Sequence, residues 1–167
     1  MLVATSGDDR SSRRMFDDLA PVVESAIVVS LLQSTIKYTV RRSRPHVRFA
    51  PPGRAHHHDD NTSFFSGHTS AVFAETFAAG IVAHERGYAA EPAIWATGIT
   101  FGLVTGYLRI AADMHYTTDV VTGMLLGSSI GLAIPYLLHR SSLRGDDPGA
   151  VSVTRGEPRL FSFGGRF

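Results

Sequence analysis

Long apolar segments alternate with short polar stretches along this chain. Four such segments lie at about residues 19–40, 67–85, 92–108 and 120–138. Each is longer than an ordinary strand, so the pattern favours helices. The breaks agree, because Ser66 stands where a helix N-cap is expected, Gly87 follows the second segment and Pro92 opens the third. We predict an all-α fold, a bundle of about four to six helices with the functional site at one end.

The two ends of the chain are polar and differ from its middle. Residues 1–18 carry an Asp-Asp and an Arg-Arg pair, and we predict a mobile lead-in or a short surface helix there. Residues 19–140 form the predicted domain. Residues 141–167 form a polar, Gly-rich tail whose end, RLFSFGGRF, can make a short strand or stay irregular. Within the domain, residues 41–65 are a predicted loop because prolines interrupt them at positions 45, 51 and 52.

Glycines recur at every fourth position in the last two apolar segments. They stand at positions 98, 102 and 106, and again at 123, 127 and 131. This spacing places each trio on one face of a helix, where a neighbouring backbone can approach closely. We therefore expect these two helices to pack on each other. The loop between them, RIAADMHYTTD at residues 109–119, would then be held rigidly.

Composition narrows the classes of function. The chain is 44% hydrophobic and 19% charged with a net charge of +1, which argues against disorder and against a general attraction to nucleic acid. It has no cysteine, so disulfides, thiolate metal sites and cysteine nucleophiles are excluded. Any electrostatic function must therefore reside in local clusters of charge.

The third and fourth apolar segments contain no charged residue and approach the length that spans a bilayer. The first and second segments carry Glu24 and Glu75, which makes them poor candidates for lipid exposure. The first residues of the chain lack the apolar core of a signal peptide. We expect a protein of the cell membrane or cell envelope, with a soluble periplasmic protein as the alternative.

Three polar clusters interrupt the apolar segments: Lys37 to Pro45, Ser66-Gly67-His68, and Arg109 to Asp119. Each cluster taken alone has a simple structural explanation. Basic residues often end a helix, a serine often caps one, and a His–Asp pair one turn apart is often a surface hydrogen bond. Only the three clusters together suggest a common site.

Together the clusters supply the parts that phosphoryl transfer needs. Cations, a hydroxyl and helix N-terminal amides can all bind phosphate oxygens, and they come from Lys37, Arg44, Arg109, Ser66, Gly67 and His68. His68 and His115 can each exchange a proton near neutral pH. Asp119, one helical turn after His115, can accept one ring N–H and leave the other ring nitrogen with its lone pair exposed. Positioning and charge neutralisation are most of the work in such a reaction.

The order and spacing of K-x6-RP, SGH and R-x5-H-x3-D resemble the three-part signature of the type 2 phosphatidic acid phosphatase (PAP2) family. Its superfamily also includes bacterial acid phosphatases and vanadium haloperoxidases. Two positions depart from the signature, with Phe65 in place of the usual proline and Leu108 in place of the usual serine. We expect Phe65 to affect entry to the site and Leu108 to weaken the support of Arg109.

The resemblance implies a phosphatase domain of the PAP2 and acid phosphatase type that needs no metal or other cofactor, with vanadate as a possible phosphate analogue. His115 would be the nucleophile that forms a phosphohistidine, Asp119 would orient it, and His68 would protonate the leaving oxygen and then help to activate water. The phosphate would be bound by Lys37, Arg44, Ser66, Gly67 and Arg109. The implied substrate is a phosphomonoester or pyrophosphate on a small molecule or, preferably, a lipid.

Two other functions stay open on the sequence alone: vanadate-dependent haloperoxidation in the same pocket, and a non-catalytic helical membrane protein with a relict site. The HHHDD run at residues 56–60 contains metal-ligating side chains. Adjacent histidines do not easily converge on one ion, so a flexible polar loop is the simpler interpretation. The basic run RRSRPHVR lacks interleaved aromatic residues, and no nucleic acid partner is expected.

Overall fold

A computed structural model describes residues 5–55 and 57–144 of the chain, with side chains from residue 11 to residue 143 apart from His56. The regular structure within these residues is entirely helical. The helices are α1 Thr5–Val40, α2 Pro45–Arg48, α3 Gly67–Arg86, α4 Glu91–Ala111, α5 Thr117–Leu138 and α6 Arg140–Arg144. The predicted all-α fold is confirmed.

The four long helices coincide with the four apolar segments, with two differences near the start of the chain. Helix α1 begins at Thr5 and not at Leu19, so residues 5–18 continue the first helix. The predicted loop 41–65 contains one helical turn, α2, because the fixed φ of Pro45 suits a first helical position. His56 and residues 145–167, which include RLFSFGGRF and most of the predicted tail, lie outside the described residues.

Helix α3 lies at the centre of the bundle, where it contacts α1, α4 and α5. Its most extensive contact is with α5, whose glycines face the backbone of α3. A Cβ at Gly127 would lie 2.3 Å from the carbonyl oxygen of Ser70, and one at Gly131 would lie 2.3 Å from that of Ala74. Only glycine allows two helix backbones to approach so closely.

Two of the three glycines of α4 also face α3, whereas Gly106 faces Val120 and Met124 of α5. A Cβ at Gly98 would lie 2.4 Å from the side chain of Thr76, and one at Gly102 would lie 2.4 Å from the ring of Phe73. The contact between α4 and α5 is small by comparison. The expected contact between the two glycine-bearing helices is therefore limited to the region of Gly106, and it is not the main packing of either helix. Both pack on α3, which presents small residues to α5 and inserts larger side chains into the groove that glycines leave on α4.

Three helical stretches, Ser11–Arg48, Glu91–Ala111 and Thr117–Leu138, are long and apolar enough to cross a membrane. Large apolar side chains are exposed on all three, including Leu31, Phe101, Tyr107, Leu125 and Leu137. An apolar outer surface of this extent marks a region that contacts lipid or another protein rather than water. These features support association of the chain with a membrane.

The charged residues of the first and second apolar segments have different surroundings. Although Glu24 was expected to make the first segment a poor candidate for lipid exposure, Ser11–Arg48 is one of the three stretches by length and composition. Glu24 Oε2 lies 2.7 Å from His139 Nε2, so its carboxylate is hydrogen-bonded to the end of α5. Helix α3, which carries the exposed Glu75, is not among the three stretches.

We expect Gly127→Ala to lower the free energy of unfolding by about 1–3 kcal/mol. The added Cβ would overlap the backbone of α3, and this cost outweighs the better helix propensity of alanine, which is worth about 0.5–1 kcal/mol. Gly106→Ala is the comparison variant, because its Cβ would meet side-chain methyl groups, of Val120 at 2.8 Å and of Met124 at 3.1 Å, and not a helix backbone. Thermal unfolding of both variants in one detergent measures the difference. Equal stability of the two would contradict the proposed packing constraint.

Candidate active site

Backbone hydrogen bonds join the three polar clusters at one end of the bundle. The N–H of Ser63 donates to the carbonyl oxygen of Arg42 at 3.0 Å, which ties the loop before α3 to the end of α1. The N–H of Ser66 donates to the carbonyl oxygen of Asp119, also at 3.0 Å, which ties the start of α3 to the first turn of α5. The loop that precedes α3 therefore holds the first and third clusters together.

His115 lies in the loop between α4 and α5 and is 1% exposed. Its Nδ1 lies 2.6 Å from the carbonyl oxygen of Ser63. A carbonyl can only accept a hydrogen bond, so Nδ1 carries the proton and the lone pair of Nε2 is available for attack. Burial lowers the pKa of His115 below its ordinary value of 6.5, because the neutral ring needs less solvation than the cation.

Asp119 stands in the first turn of α5 and is fully buried. Its Oδ2 lies 3.7 Å from Nδ1 of His115, so the attraction between the two is electrostatic. The expected direct hydrogen bond from the ring is therefore corrected, because the carbonyl oxygen of Ser63 accepts that bond instead. The carboxylate is held by the side chains of Arg42 and Ser63 and by the backbone of Tyr116.

Arg44 is one of two guanidinium groups at the site, and it is rigidly held. It is 6% exposed and stands at the N-cap of α2. Its Nε donates to the carbonyl oxygen of Asp59 at 3.0 Å and its Nη2 donates to Oγ1 of Thr62 at 3.3 Å. The carboxylate of Asp59 lies 3.5 Å from Nη2. This cation therefore cannot swing away from the site.

Arg109 is the second guanidinium, in the last turn of α4. Its Nε is buried and has no hydrogen-bond partner among the residues that the structure describes. A buried donor without a partner costs about 1–3 kcal/mol, and more for a charged group. An anion that accepted a hydrogen bond from Nε would recover this free energy, so Arg109 is ready to bind one.

Lys37 and His68 are the remaining charged or titratable residues of the candidate site. Lys37 is half-buried in the last turn of α1, and His68 is exposed in the first turn of α3. His68 interacts electrostatically with Arg109, Lys37, His115 and Arg44. Partial desolvation and these charges lower the pKa of His68 below 6.5. Residues from all three sequence clusters thus share one site.

Ser66 and Gly67 occupy the N-cap and the first position of α3, as expected, but the hydroxyl does not cap the helix. Ser66 is fully buried, and its Oγ lies 2.9 Å from Oγ1 of Thr69. Gly67 packs against Gln33 of α1, whose side chain would lie 2.8 Å from an added Cβ. The first amides of α3 have no intrahelical partner, so this helix end favours an anion.

Three supporting residues were not anticipated from the sequence: Arg42, Ser63 and Asp60. The carboxylate of Asp60 accepts hydrogen bonds from Arg54 at 2.9 and 3.1 Å and from the N–H of His57 at 2.9 Å, which lowers its pKa to about 2. Its carbonyl oxygen accepts from the N–H of Arg44 at 2.9 Å. Asp60 therefore pins the loop that holds Arg44. The sequence does not distinguish these three supporting residues, because each stands beside a residue of the same type or of similar polarity.

The two departures from the family signature lie in different surroundings. Phe65 is fully buried, so the expectation that it controls entry to the site is wrong, and its ring is part of the core. Leu108 is 56% exposed and turns away from the protein. The Nε of the neighbouring Arg109 has no partner among the described residues. The expectation that a serine hydroxyl at position 108 would support Arg109 stays a prediction.

The HHHDD run is not a flexible polar loop throughout. Asp59 and Asp60 are each paired with an arginine, Arg44 and Arg54 respectively. Among the described residues, which leave out His56, no group of three or more His, Asp or Glu side chains could hold a metal ion. The two aspartates therefore support the site through arginine.

Comparison with known proteins adds one finding. The family model of the PAP2 superfamily matches residues 18–142, which contain all of the site residues described above. A search of curated proteins finds no match, and a search of solved structures finds none.

Proposed function

The chain belongs to the PAP2 superfamily, and on that premise we propose that it is a metal-independent phosphatase acting on a phosphomonoester or pyrophosphate, in particular a lipid phosphate. The observation that carries the proposal is the meeting of Lys37, Arg44 and Arg109 beside a buried histidine, His115. Fixed cations can stabilise the transferred phosphoryl group in the way that a divalent metal does elsewhere.

The proposed reaction has two steps. First, Nε2 of His115 attacks phosphorus, the bond to the leaving oxygen breaks, and His68 gives that oxygen a proton. Second, water attacks the phosphohistidine while His68 takes its proton, and the P–N bond breaks to release phosphate and neutral His115. The guanidinium groups of Arg44 and Arg109 neutralise the phosphoryl oxygens throughout.

A groove between α1 and α3 supports a lipid substrate. Its volume is ≈ 430 Å³, and its lining is mainly apolar side chains of α1, among them Val22, Ala26, Ile27 and Leu31, with Glu75 of α3 and two serines at its polar side. One end of the groove is at Ser34, one helical turn before Lys37 on the same face of α1. An alkyl chain lying in this groove would place its phosphate beside Lys37.

We expect His115→Ala to lose phosphatase activity by more than about a thousandfold, because the nucleophile is removed. Release of phosphate from para-nitrophenyl phosphate and from a lipid phosphate in detergent micelles measures the loss. His84→Ala, an exposed histidine at the other end of α3, is the matched control. Wild-type activity should persist in excess EDTA. Activity that disappears in EDTA and returns with a divalent metal would refute the metal-free mechanism, and the absence of any turnover would favour a relict site.

The pH profile of kcat/KM should be bell-shaped with its maximum below about pH 6.5. His115 must be neutral to attack and His68 must be protonated to act as the acid, and the pKa of each is below 6.5. Activity should therefore fall on the acid side as His115 gains a proton and on the alkaline side as His68 loses one. The measurement needs the ionisation of the substrate determined separately. A maximum above about pH 7.5 would contradict this assignment of roles.

Filling the groove should affect long substrates only. We expect Ala26→Trp to raise KM for long-chain alkyl phosphates by about tenfold or more and to leave short-chain substrates unaffected, because the indole would occupy the space of the alkyl chain. Ala93→Trp, at an exposed position on α4, is the matched control. Equal effects of Ala26→Trp on short and long substrates would show that the groove does not bind the chain.

A further inference from the structure

We propose that Arg42 is a positioning residue for this reaction, which neutralises Asp119 and, through Ser63, fixes the ring of His115. The proposal rests on the function proposed above. Arg42 occupies one of the six positions that K-x6-RP leaves unspecified, so it is not among the residues that carry the resemblance. It acts behind the nucleophile and does not touch the reacting atoms.

Asp119 is a buried carboxylate whose oxygens are fully engaged. Nη1 of Arg42 donates to Oδ1 at 2.5 Å. Oγ of Ser63 donates to Oδ2 at 2.5 Å, and the N–H of Tyr116 donates to the same oxygen at 3.0 Å. A buried carboxylate is stable only when it is paired and hydrogen-bonded in this way. Arg42 is the cation in the pair, and together with the hydrogen bonds from Ser63 and Tyr116 it stabilises the charged form of Asp119.

Ser63 connects this pair to the nucleophile. Its hydroxyl donates to Asp119, and its carbonyl oxygen accepts the Nδ1–H of His115 at 2.6 Å. Asp119 itself is 3.7 Å from Nδ1. The orientation of the ring therefore depends on the position of Ser63, and the carboxylate acts on the ring through that serine.

Arg42 is itself held by contacts from two other directions. Nη1 also donates to Oγ1 of Thr118 at 2.8 Å, and the guanidinium carbon lies 4.1 Å from the centre of the Tyr116 ring. The carbonyl oxygen of Arg42 accepts from the N–H of Ser63 at 3.0 Å. One residue therefore joins the end of α1, the loop before α3 and the start of α5.

The charge of Arg42 also controls the protonation of the nucleophile. The charged and titratable groups that act on His115 are Asp119 of α5, Arg109 of α4, His68 of α3 and Arg44 at the start of α2, and Lys37 of α1 and Asp59 lie next to these cations. Asp119 is the anion that acts on His115 itself, and Arg42 offsets its charge. Without Arg42, the His115–Asp119 pair would bind a proton more tightly, and the nucleophile would be lost at a higher pH.

The test compares Arg42→Gln and Arg42→Lys with the wild-type protein in detergent, using para-nitrophenyl phosphate. We expect Arg42→Gln to lower kcat by about tenfold or more with KM changed less than about threefold, because substrate contacts remain. The acid limb of kcat/KM should move up by about one pH unit. Arg42→Lys keeps the positive charge but loses the planar guanidinium with its several N–H donors. The acid limb of its pH profile should therefore stay at the wild-type position while kcat falls.

Two controls separate a positioning role from a general structural one. Arg48→Gln removes an exposed cation nearby on α2 and should leave kcat and the acid limb unchanged. In an Asp119→Asn background, Arg42→Gln should cause much less further loss of kcat than it does in the wild-type protein, because the carboxylate that Arg42 holds is absent. An equal loss of kcat in both backgrounds, or a wild-type kcat in Arg42→Gln, would overturn the proposal.

The outcome is decided even if Arg42→Gln does not fold. Thermal unfolding identifies that case, and Arg42→Lys then serves as the deciding variant: reduced kcat with unchanged KM supports the proposal, and wild-type kcat refutes it. A wild-type protein without turnover on any phosphate ester would instead refute the phosphatase function. The two failures are therefore distinguishable.

Discussion

The direct backbone contact between α3 and α5 is the constraint on which the rest of the structure depends. At the end of this contact nearest the candidate active site, a Cβ on Gly123 would lie 2.8 Å from the carbonyl oxygen of Ser66. Helix α3 begins with Ser-Gly-His and α5 begins just after His115, so the contact places these two clusters side by side. Any larger side chain at the α5 glycines would separate the helices and the two halves of the site with them.

This packing also holds together charges that repel one another. Arg44, Lys37 and Arg109 interact unfavourably, and burial adds a desolvation cost for the ammonium and guanidinium groups. Asp59 offsets part of the charge of Arg44, whereas the Nε of Arg109 has no partner among the described residues. A bound phosphate would relieve the repulsion. The bundle thus holds mutually repelling cations in fixed positions, as is common where binding and catalysis need pre-organised charge.

Features that depend on neighbouring residues in the chain were predictable, and those that depend on contacts between distant residues were not. Helix existence, the positions of Gly87 and Pro92 and the all-α class were predictable because they depend on near neighbours in the chain. The partner of each glycine face was not, since spacing identifies a smooth surface but not the helix that meets it. Similarly, the sequence placed Asp119 one turn from His115, but the hydrogen bond of the ring goes to Ser63, 52 residues away in sequence.

The sequence by itself determined the parts of the site: the cations at the ends of α1 and α4, the amide-bearing start of α3, and the histidine before α5. Local spacing and side-chain chemistry are sufficient for this. Only the tertiary structure decided how the parts are supported, because Arg42 reaches Asp119 across 77 residues and looks no different in sequence from its neighbour Arg41. A buried carboxylate pairs with the cation that lies within hydrogen-bonding distance of it. Arg42 and Asp119 come within that distance only because α1 and α5 both pack on α3.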